Sequence, residues 1–275
     1  MTTWVELVQW PTVTRIGWTL VHFLWQGAAL ALVWAILRTL LRRQEARVRY
    51  LAACSVFGAM VVAPLVTFAM LGSVPEVTSG PSNPPTVAMP TGSGWVGELS
   101  DTVPAVAVLP RSGEQLVEIL ETSMPWLVLL WAVGVGALSL RLLHGFWSVN
   151  RLTQPPPTSL DAVWLNRIEE LRRRLAIRRP VRLLVSAAVL VPTVVGWLRP
   201  VILFPIGALG GLAPHQIELI LAHELAHIRR HDHWVNLLQV VVETVLFYHP
   251  AVWLVSREIR ELREHCCDDL AVETC

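Results

Sequence analysis

Three long runs of apolar residues organise this chain. The first goes from about Ile16 to Leu41, the second covers about Tyr50 to Leu71, and the third about Met124 to Leu143. At ~1.5 Å of rise per residue, each is long enough as a helix to cross a ~30 Å hydrocarbon core. His22 and Gln26 interrupt the first run four residues apart, on one helical face, which suits hydrogen bonds to a neighbouring helix. That run is too long for a secretory signal and ends in Arg42 and Arg43 without a small-residue cleavage site. Between the second and third runs the pattern dissolves: Pro75 to Arg111 is rich in Pro, Gly, Ser and Thr and reads as a flexible connector.

After the third run the pattern becomes that of a mixed-polarity domain, entered through Pro155, Pro156 and Pro157. A helix of mixed charge is predicted over about Leu160 to Ala176. Short strands follow at Leu183 to Ser186, Thr193 to Gly196 and Val201 to Phe204, punctuated by Pro192, Pro200 and Pro205. From Ala213 a helix is expected, with Pro214 in its first turn and Ile217, Ile220, Leu221 and Leu225 as an apolar stripe. Trp234 to Val255 is apolar and long enough to span, but His249-Pro250 can break it and reverse the chain. Another helix-like stretch begins near Ser256.

Composition supports membrane residence. Of 275 residues, 53% are hydrophobic and 16% charged, against about 25% charged in soluble domains. Tryptophans such as Trp18, Trp126, Trp147, Trp234 and Trp253 fall near the ends of apolar runs, where an interfacial ring is favoured. Charge matters through its placement. Arg38, Arg42, Arg43, Arg47 and Arg49 lie between the first two runs, and Arg141, Arg151, Arg167 and Arg172 to Arg174 follow the third. The 72–123 segment has one basic residue, Arg111. The positive-inside rule then places the N-terminus and the 72–123 loop outside and everything after about Arg141 in the cytoplasm, and the expected location is the inner (cytoplasmic) membrane. The arginine cluster at 172–174 is expected to be a solvated face near anionic lipid and not a nucleic-acid contact. Cys54, Cys266, Cys267 and Cys275 show no disulfide spacing.

Chemistry concentrates on the helix after Ala213, which carries His223-Glu224-Leu225-Ala226-His227. Histidines at i and i+4 share a face, so both imidazoles can reach one Zn2+ ion, and Glu224 beside them can serve as general base towards the attacking water. A catalytic zinc needs a third protein ligand. Glu264 and Asp268, four apart on the next helix, can offer one carboxylate to the metal and the other to the N–H of a ligand histidine. Glu261 competes for the ligand role, Glu258 and Cys267 more weakly. Asp232 and His231 are candidates for orienting a ligand or the substrate oxyanion. A single crossing by 234–255 would put Glu264 on the opposite side from His223. Asn236, Gln239 and Glu243 would also face lipid at high cost. A helical hairpin, re-entrant or interfacial, resolves both conflicts. Val201 to Phe204 is either an edge strand that holds an extended peptide or simply a core strand.

With these residues placed, the chain resembles the BlaR/MecR-type membrane metallopeptidases, which are gluzincins. The resemblance rests on Gly17-Trp18-Thr19-Leu20 with His22 to Gly27, Arg49-Tyr50, and Ala63-Pro64-Leu65. It continues through Pro200 to Pro205, His223 to Asp232, His249-Pro250, and Arg263-Glu264-His265-Cys266-Cys267-Asp268-Asp269. It implies His223, His227 and Glu264 as zinc ligands and Glu224 as base. It also implies a regulatory protease acting on a cytoplasmic protein such as a transcriptional repressor. Family members that sense β-lactams detect the drug with an outer domain. No such domain is found in this sequence, which reads as part of a longer protein with a further span.

The expected fold is therefore a mainly α membrane protein with three transmembrane helices and a cytoplasmic α+β zincin-like domain. Its divisions are 1–71 with two spans, the extracytoplasmic loop 72–123, the third span 124–146, and the metallopeptidase domain 147–275 with its membrane-associated hairpin 234–255. Two other readings share these motifs: a housekeeping membrane protease of the HtpX type, and a signalling scaffold whose zinc is structural.

Overall fold

The computed structural model describes residues 11–72, 112–152, 162–186, 189–195 and 200–275. The connector Pro75 to Arg111 and the prolines at 155–157 lie outside the described residues. Three helices carry the apolar runs: α1 (Pro11–Leu40), α2 (Ala46–Leu71) and α3 (Ser112–Leu152). Each is long and apolar enough to cross a membrane, and with the outward-facing Leu40, Leu65, Met70, Leu130 and Leu140 they make this a membrane protein. The third helix differs from expectation. It starts at Ser112, well ahead of the apolar run that begins at about Met124. Pro125 does not end it, because neighbouring groups in a spanning helix can satisfy the freed backbone. The apolar run marks the width of the membrane, not the limits of the helix.

Polar residues inside the spans bond to protein. Gln26 on α1 donates to Thr67 on α2 at 2.9 Å, and Arg15 donates to the Phe68 carbonyl at 2.8 Å. His22 instead accepts from Trp25 within its own helix.

Beyond the spans comes α4 (Ala162–Arg174), ended by Ala176 in the left-handed region at φ 53°. Its arginines pair along the helix, Arg172 and Arg173 with Glu169 and Arg174 with Glu170. Such exposed pairs are worth about 0–1 kcal/mol each. Burial of Ile168, Leu171 and Leu175 against the sheet and α6 therefore decides how α4 docks.

The sheet contains β1 (Arg182–Ser186), β2 (Thr193–Val195) and β3 (Val201–Pro205). Its order is β1-β3-β2, with β1 parallel and β2 antiparallel to β3. Of the two readings of Val201 to Phe204, this excludes the edge role and bears out the core strand. That strand is central, paired on both sides, and Ile202, Leu203 and Phe204 are buried. Its unbroken apolar run is the mark of a strand covered on both faces. Among the described residues β2 pairs only with β3 and leaves its other edge open.

A short helix α5 (Ile206–Gly211) leads to α6 (Pro214–Arg230), α7 (Asp232–Val245) and α8 (Pro250–Thr274). The 234–255 segment is a hairpin: α7 runs to Val245, the chain turns at 246–249, and α8 returns. His249 makes the turn. It caps α8 by accepting from the Ala251 N–H at 3.1 Å, and Pro250 occupies the first helical position. Its Nε2–H donates to the Leu24 carbonyl of α1 at 2.9 Å. Tyr248 donates to the Leu20 carbonyl, and Trp131 of α3 donates to the Val245 carbonyl. The hairpin tip is thus seated among the spans. Gln239 and Glu243 face inward: Gln239 donates to the Ser256 carbonyl and hydroxyl, Ser256 donates to Glu243, and Arg260 pairs with Glu243 at 2.8 Å. Trp234, Leu237, Leu238, Val241 and Leu254 face outward.

Two hydrophobic cores result. One joins α1, α2 and the hairpin through Phe23, Trp34, Phe57, Met60, Val252 and Ile259. The other joins α4, the sheet and α6 through Leu171, Ile202, Phe204 and Leu221. Helix α8 belongs to both, through Cys266 in the first and Ala271 in the second.

The tip needs small residues beneath it. A Cβ added at Gly27 would stand 2.7 Å from His249 Nε2, and His249 is buried and hydrogen-bonded. At Gly58 a Cβ would meet nothing within 4 Å. Gly27→Ala is therefore expected to cost about 1–3 kcal/mol through overpacking, and Gly58→Ala to cost nothing. Thermal unfolding of both variants in detergent checks this.

Candidate metal centre

The His223–His227 pair lies on α6, whose apolar stripe (Ile217, Leu221, Leu225, Ile228) is buried in the second core. Burial of that stripe turns the histidines towards α8, with ring centroids 4.9 Å apart. There Glu264 meets them. His223 Nε2 and His227 Nε2 are 3.2 Å apart, and Glu264 Oε2 lies 3.5 Å from the first and 3.4 Å from the second.

The opposite ring nitrogens decide what this triangle is. His223 Nδ1 lies 2.9 Å from Asp268 Oδ1, and His227 Nδ1 lies 2.8 Å from Asp232 Oδ2. A carboxylate at Nδ1 fixes the Nδ1–H tautomer, which leaves each Nε2 with a bare lone pair. In that tautomer two lone pairs and a carboxylate oxygen face one another. Such a cluster is repulsive without a cation. Ligands ~2.0–2.1 Å from a tetrahedral zinc stand about 3.3 Å apart, and the three separations match that spacing. The donor set therefore fits a divalent metal, and Glu264, with its side chain 47% exposed, leaves the centre open to water.

The competing ligands point elsewhere. Glu261 pairs with Arg257 at 2.9 Å and Glu258 with Arg38 at 3.2 Å. Cys267 is close, with Sγ 3.3 Å from both His227 Nδ1 and Asp232 Oδ2. Burial, reinforced by Asp232, pushes its thiol well above the usual range, so it stays protonated and donates to Asp232. The second cluster of possible ligands, His227, Asp232 and Cys267, is thus a hydrogen-bonded set around the far side of His227. Along the sequence Cys267 reads only as a weak competing ligand. Its place next to Asp232 follows from the turn at 231, which sequence spacing does not reveal.

His231 does not join the site. It takes the left-handed conformation (φ 58°) that ends α6, donating its N–H to the His227 and Ile228 carbonyls. Its ring lies beside His233. The sharp turn it makes is what folds Asp232 back under His227.

Glu224 is half-buried next to the histidines. Burial raises its pKa and Glu264 adds to this, against the opposing pull of His227 and His223. A carboxylate with raised proton affinity is better matched to accepting a proton near neutrality. His227 is also shifted upward: burial opposes this, and the Asp232 hydrogen bond with the Glu264 charge outweighs it.

The sequence profile of the BlaR1 peptidase M56 family matches residues 18–274. The chain belongs to that family. Similar proteins include the regulatory protein BlaR1 of Bacillus licheniformis, 23% identical over 145 residues, which are 53% of this chain and 24% of that protein. The methicillin resistance mecR1 protein of Staphylococcus aureus is 23% identical over 144 residues, 52% of this chain and 24% of its own length. That of Staphylococcus epidermidis matches to the same extent. The aligned part is about a quarter of the length of these relatives. Membership of this peptidase family agrees with a metal centre built from His223, His227 and Glu264.

Removing an outer hydrogen bond of a ligand histidine typically costs 10–100-fold in metal affinity. Asp232 is 5% exposed and Asp268 63%, so water can replace the second far more easily. Asp232→Asn is expected to fall near the upper end of that range and Asp268→Asn near the lower. Competition with a chromophoric chelator measures both.

Proposed function

We propose that this chain is a membrane-embedded zinc endopeptidase with a regulatory role. Its active site faces the cytoplasm and cuts a cytoplasmic protein such as a transcriptional repressor. The observation that carries the proposal is the convergence of three ligand atoms, His223 Nε2, His227 Nε2 and Glu264 Oε2, at 3.2–3.5 Å, with Glu224 beside them. A purely structural zinc site has no use for a carboxylate there or for an open face.

When bound, zinc would polarise the scissile carbonyl and make the attacking water more acidic. The chain's own residues do the rest. Asp232 and Asp268 hold both imidazoles in the tautomer that presents Nε2. Glu224 takes the proton from the water and can return it to the leaving amine. The open edge of β2, which touches α6, can bind an extended peptide by strand addition.

The cytoplasmic location rests on arginine placement and on contacts. Arg38, at the arginine-rich end of α1, pairs with Glu258 of α8. The metal-bearing helices therefore sit against the end of the spans that the positive-inside rule puts in the cytoplasm. The regulatory role is carried over from the relative whose name describes it as a regulatory protein.

Metal analysis of the purified chain in detergent is expected to find about one zinc in the wild type and loss in both His223→Ala and Glu264→Ala. Glu224→Gln should retain the metal and lose proteolysis of a co-expressed substrate by at least ~10³-fold. Normal cleavage by Glu224→Gln would rule out the enzyme.

A further inference from the structure

Asp232 is a buried carboxylate with an uneven set of partners. Its Oδ2 meets His227 Nδ1 at 2.8 Å and the Cys267 thiol at 3.3 Å. Its Oδ1 is buried and makes no hydrogen bond. Arg230, the last residue of α6, faces that oxygen with Nε at 3.4 Å, close enough for an ion pair but not aligned as a hydrogen bond. The Arg230 side chain is 18% exposed, and its Nε is buried and makes no hydrogen bond. Asp232 alone therefore does not fix where Arg230 sits.

What lies beneath it is the ring of Tyr50. The guanidinium carbon stands 4.8 Å from the ring centroid. Tyr50 is buried in the second turn of α2, in the core that joins the spans to the hairpin. A desolvated guanidinium on an aromatic face is held by the ring quadrupole. The contacts then run without a gap from a spanning helix to a metal ligand: Tyr50 to Arg230, Arg230 to Asp232, Asp232 to His227.

We infer that Tyr50 and Arg230 are positioning residues for the metal centre, the Tyr50 ring holding Arg230 against Asp232 so that His227 keeps its aim. Metal affinity then depends on how the second span is seated, although Tyr50 touches neither metal ligand nor substrate. The inference rests on the proposed reading of His223, His227 and Glu264 as a metal site. It adds a mechanical link from membrane to metal that no general feature of an HExxH site requires.

The experiment uses zinc and a competing chelator on the full chain in detergent, and needs no substrate. Arg230→Gln should weaken zinc binding about 10-fold or more, as expected for losing the outer support of a ligand histidine. Tyr50→Leu, which keeps apolar bulk and removes the aromatic face, should weaken it about 3–10-fold. Tyr50→Phe, which keeps the face, should stay within about 2-fold of wild type. The double variant Arg230→Gln/Tyr50→Leu should bind no more weakly than Arg230→Gln, because the ring acts through the guanidinium. Tyr50→Met is a second face-removing variant should Tyr50→Leu fail to fold, with thermal unfolding as the control.

Unchanged affinity in Tyr50→Leu or Tyr50→Met would overturn the inference. So would fully additive losses in the double variant, or a Tyr50→Phe loss as large as that of Tyr50→Leu. Failure of the metal-site reading looks different: the wild type would take up no zinc, or His223→Ala would still hold it.

Discussion

Three electron-pair donors pointing at one another set the terms for this molecule. In most folded structures a lone pair finds a proton. Here His223 Nε2, His227 Nε2 and Glu264 Oε2 find only each other at 3.2–3.5 Å, because the Nδ1–H groups that could relieve them are committed to Asp268 and Asp232. Holding that arrangement before a cation arrives requires a stiff frame, since repulsion would otherwise turn the rings apart. The frame is the α6–α8 pair. Helix α6 is anchored by its buried stripe, and α8 is shared between both hydrophobic cores. A residue on α8 cannot move relative to α6 without disturbing two cores at once, and close-packed interiors resist that.

The same helix explains the hairpin. Its C-terminal half carries Glu264 and its N-terminal end lies at the level of Leu20 and Leu24 of α1. From Leu24 to Arg38, the residue that pairs with Glu258, is 38 − 24 = 14 residues, about 21 Å of helix. The tip therefore lies about 21 Å along the first span from its arginine-rich end, to be set against a ~30 Å hydrocarbon core. An irregular turn at that depth is tolerated only when protein covers it. Gly27 and Gly134 supply the space: a Cβ at either would collide with His249 or Phe247.

Much of this was legible in the sequence, for reasons that can be named. The spans were visible because length and apolarity are what a membrane demands. The HExxH pair was visible because i, i+4 spacing already places two rings on one face. The hairpin could be argued because a single crossing separates Glu264 from its partners and leaves Gln239 and Glu243 in lipid. Local pattern failed where tertiary pairing decides. For Val201 to Phe204 the edge and core readings stay open along the chain, because a short apolar strand reads the same in either place. His231 was weighed as chemistry because of its neighbours, whereas its backbone, left-handed at φ 58°, is its contribution. The start of α3 at Ser112 was hidden because its polar first turns carry no span signal. Arg230 and Tyr50 are far apart in sequence, and nothing along the chain announces their stacking.

The polar line inside the hairpin raises a question of stability against specificity. Glu243, Arg260, Ser256 and Gln239 sit between α7 and α8, where apolar side chains of similar volume would pack at least as stably. What such groups add is register. Sliding α8 along α7 by one turn, about 5.4 Å, would separate Gln239 from Ser256 and Arg260 from Glu243, leaving several buried polar groups unpaired at about 1–3 kcal/mol each. An all-apolar seam would resist that slip far less. The slip matters because Ser256, Arg260 and Glu264 follow one another at four-residue intervals on the same helix. The register that pairs the first two with α7 also delivers the third to the histidines of α6.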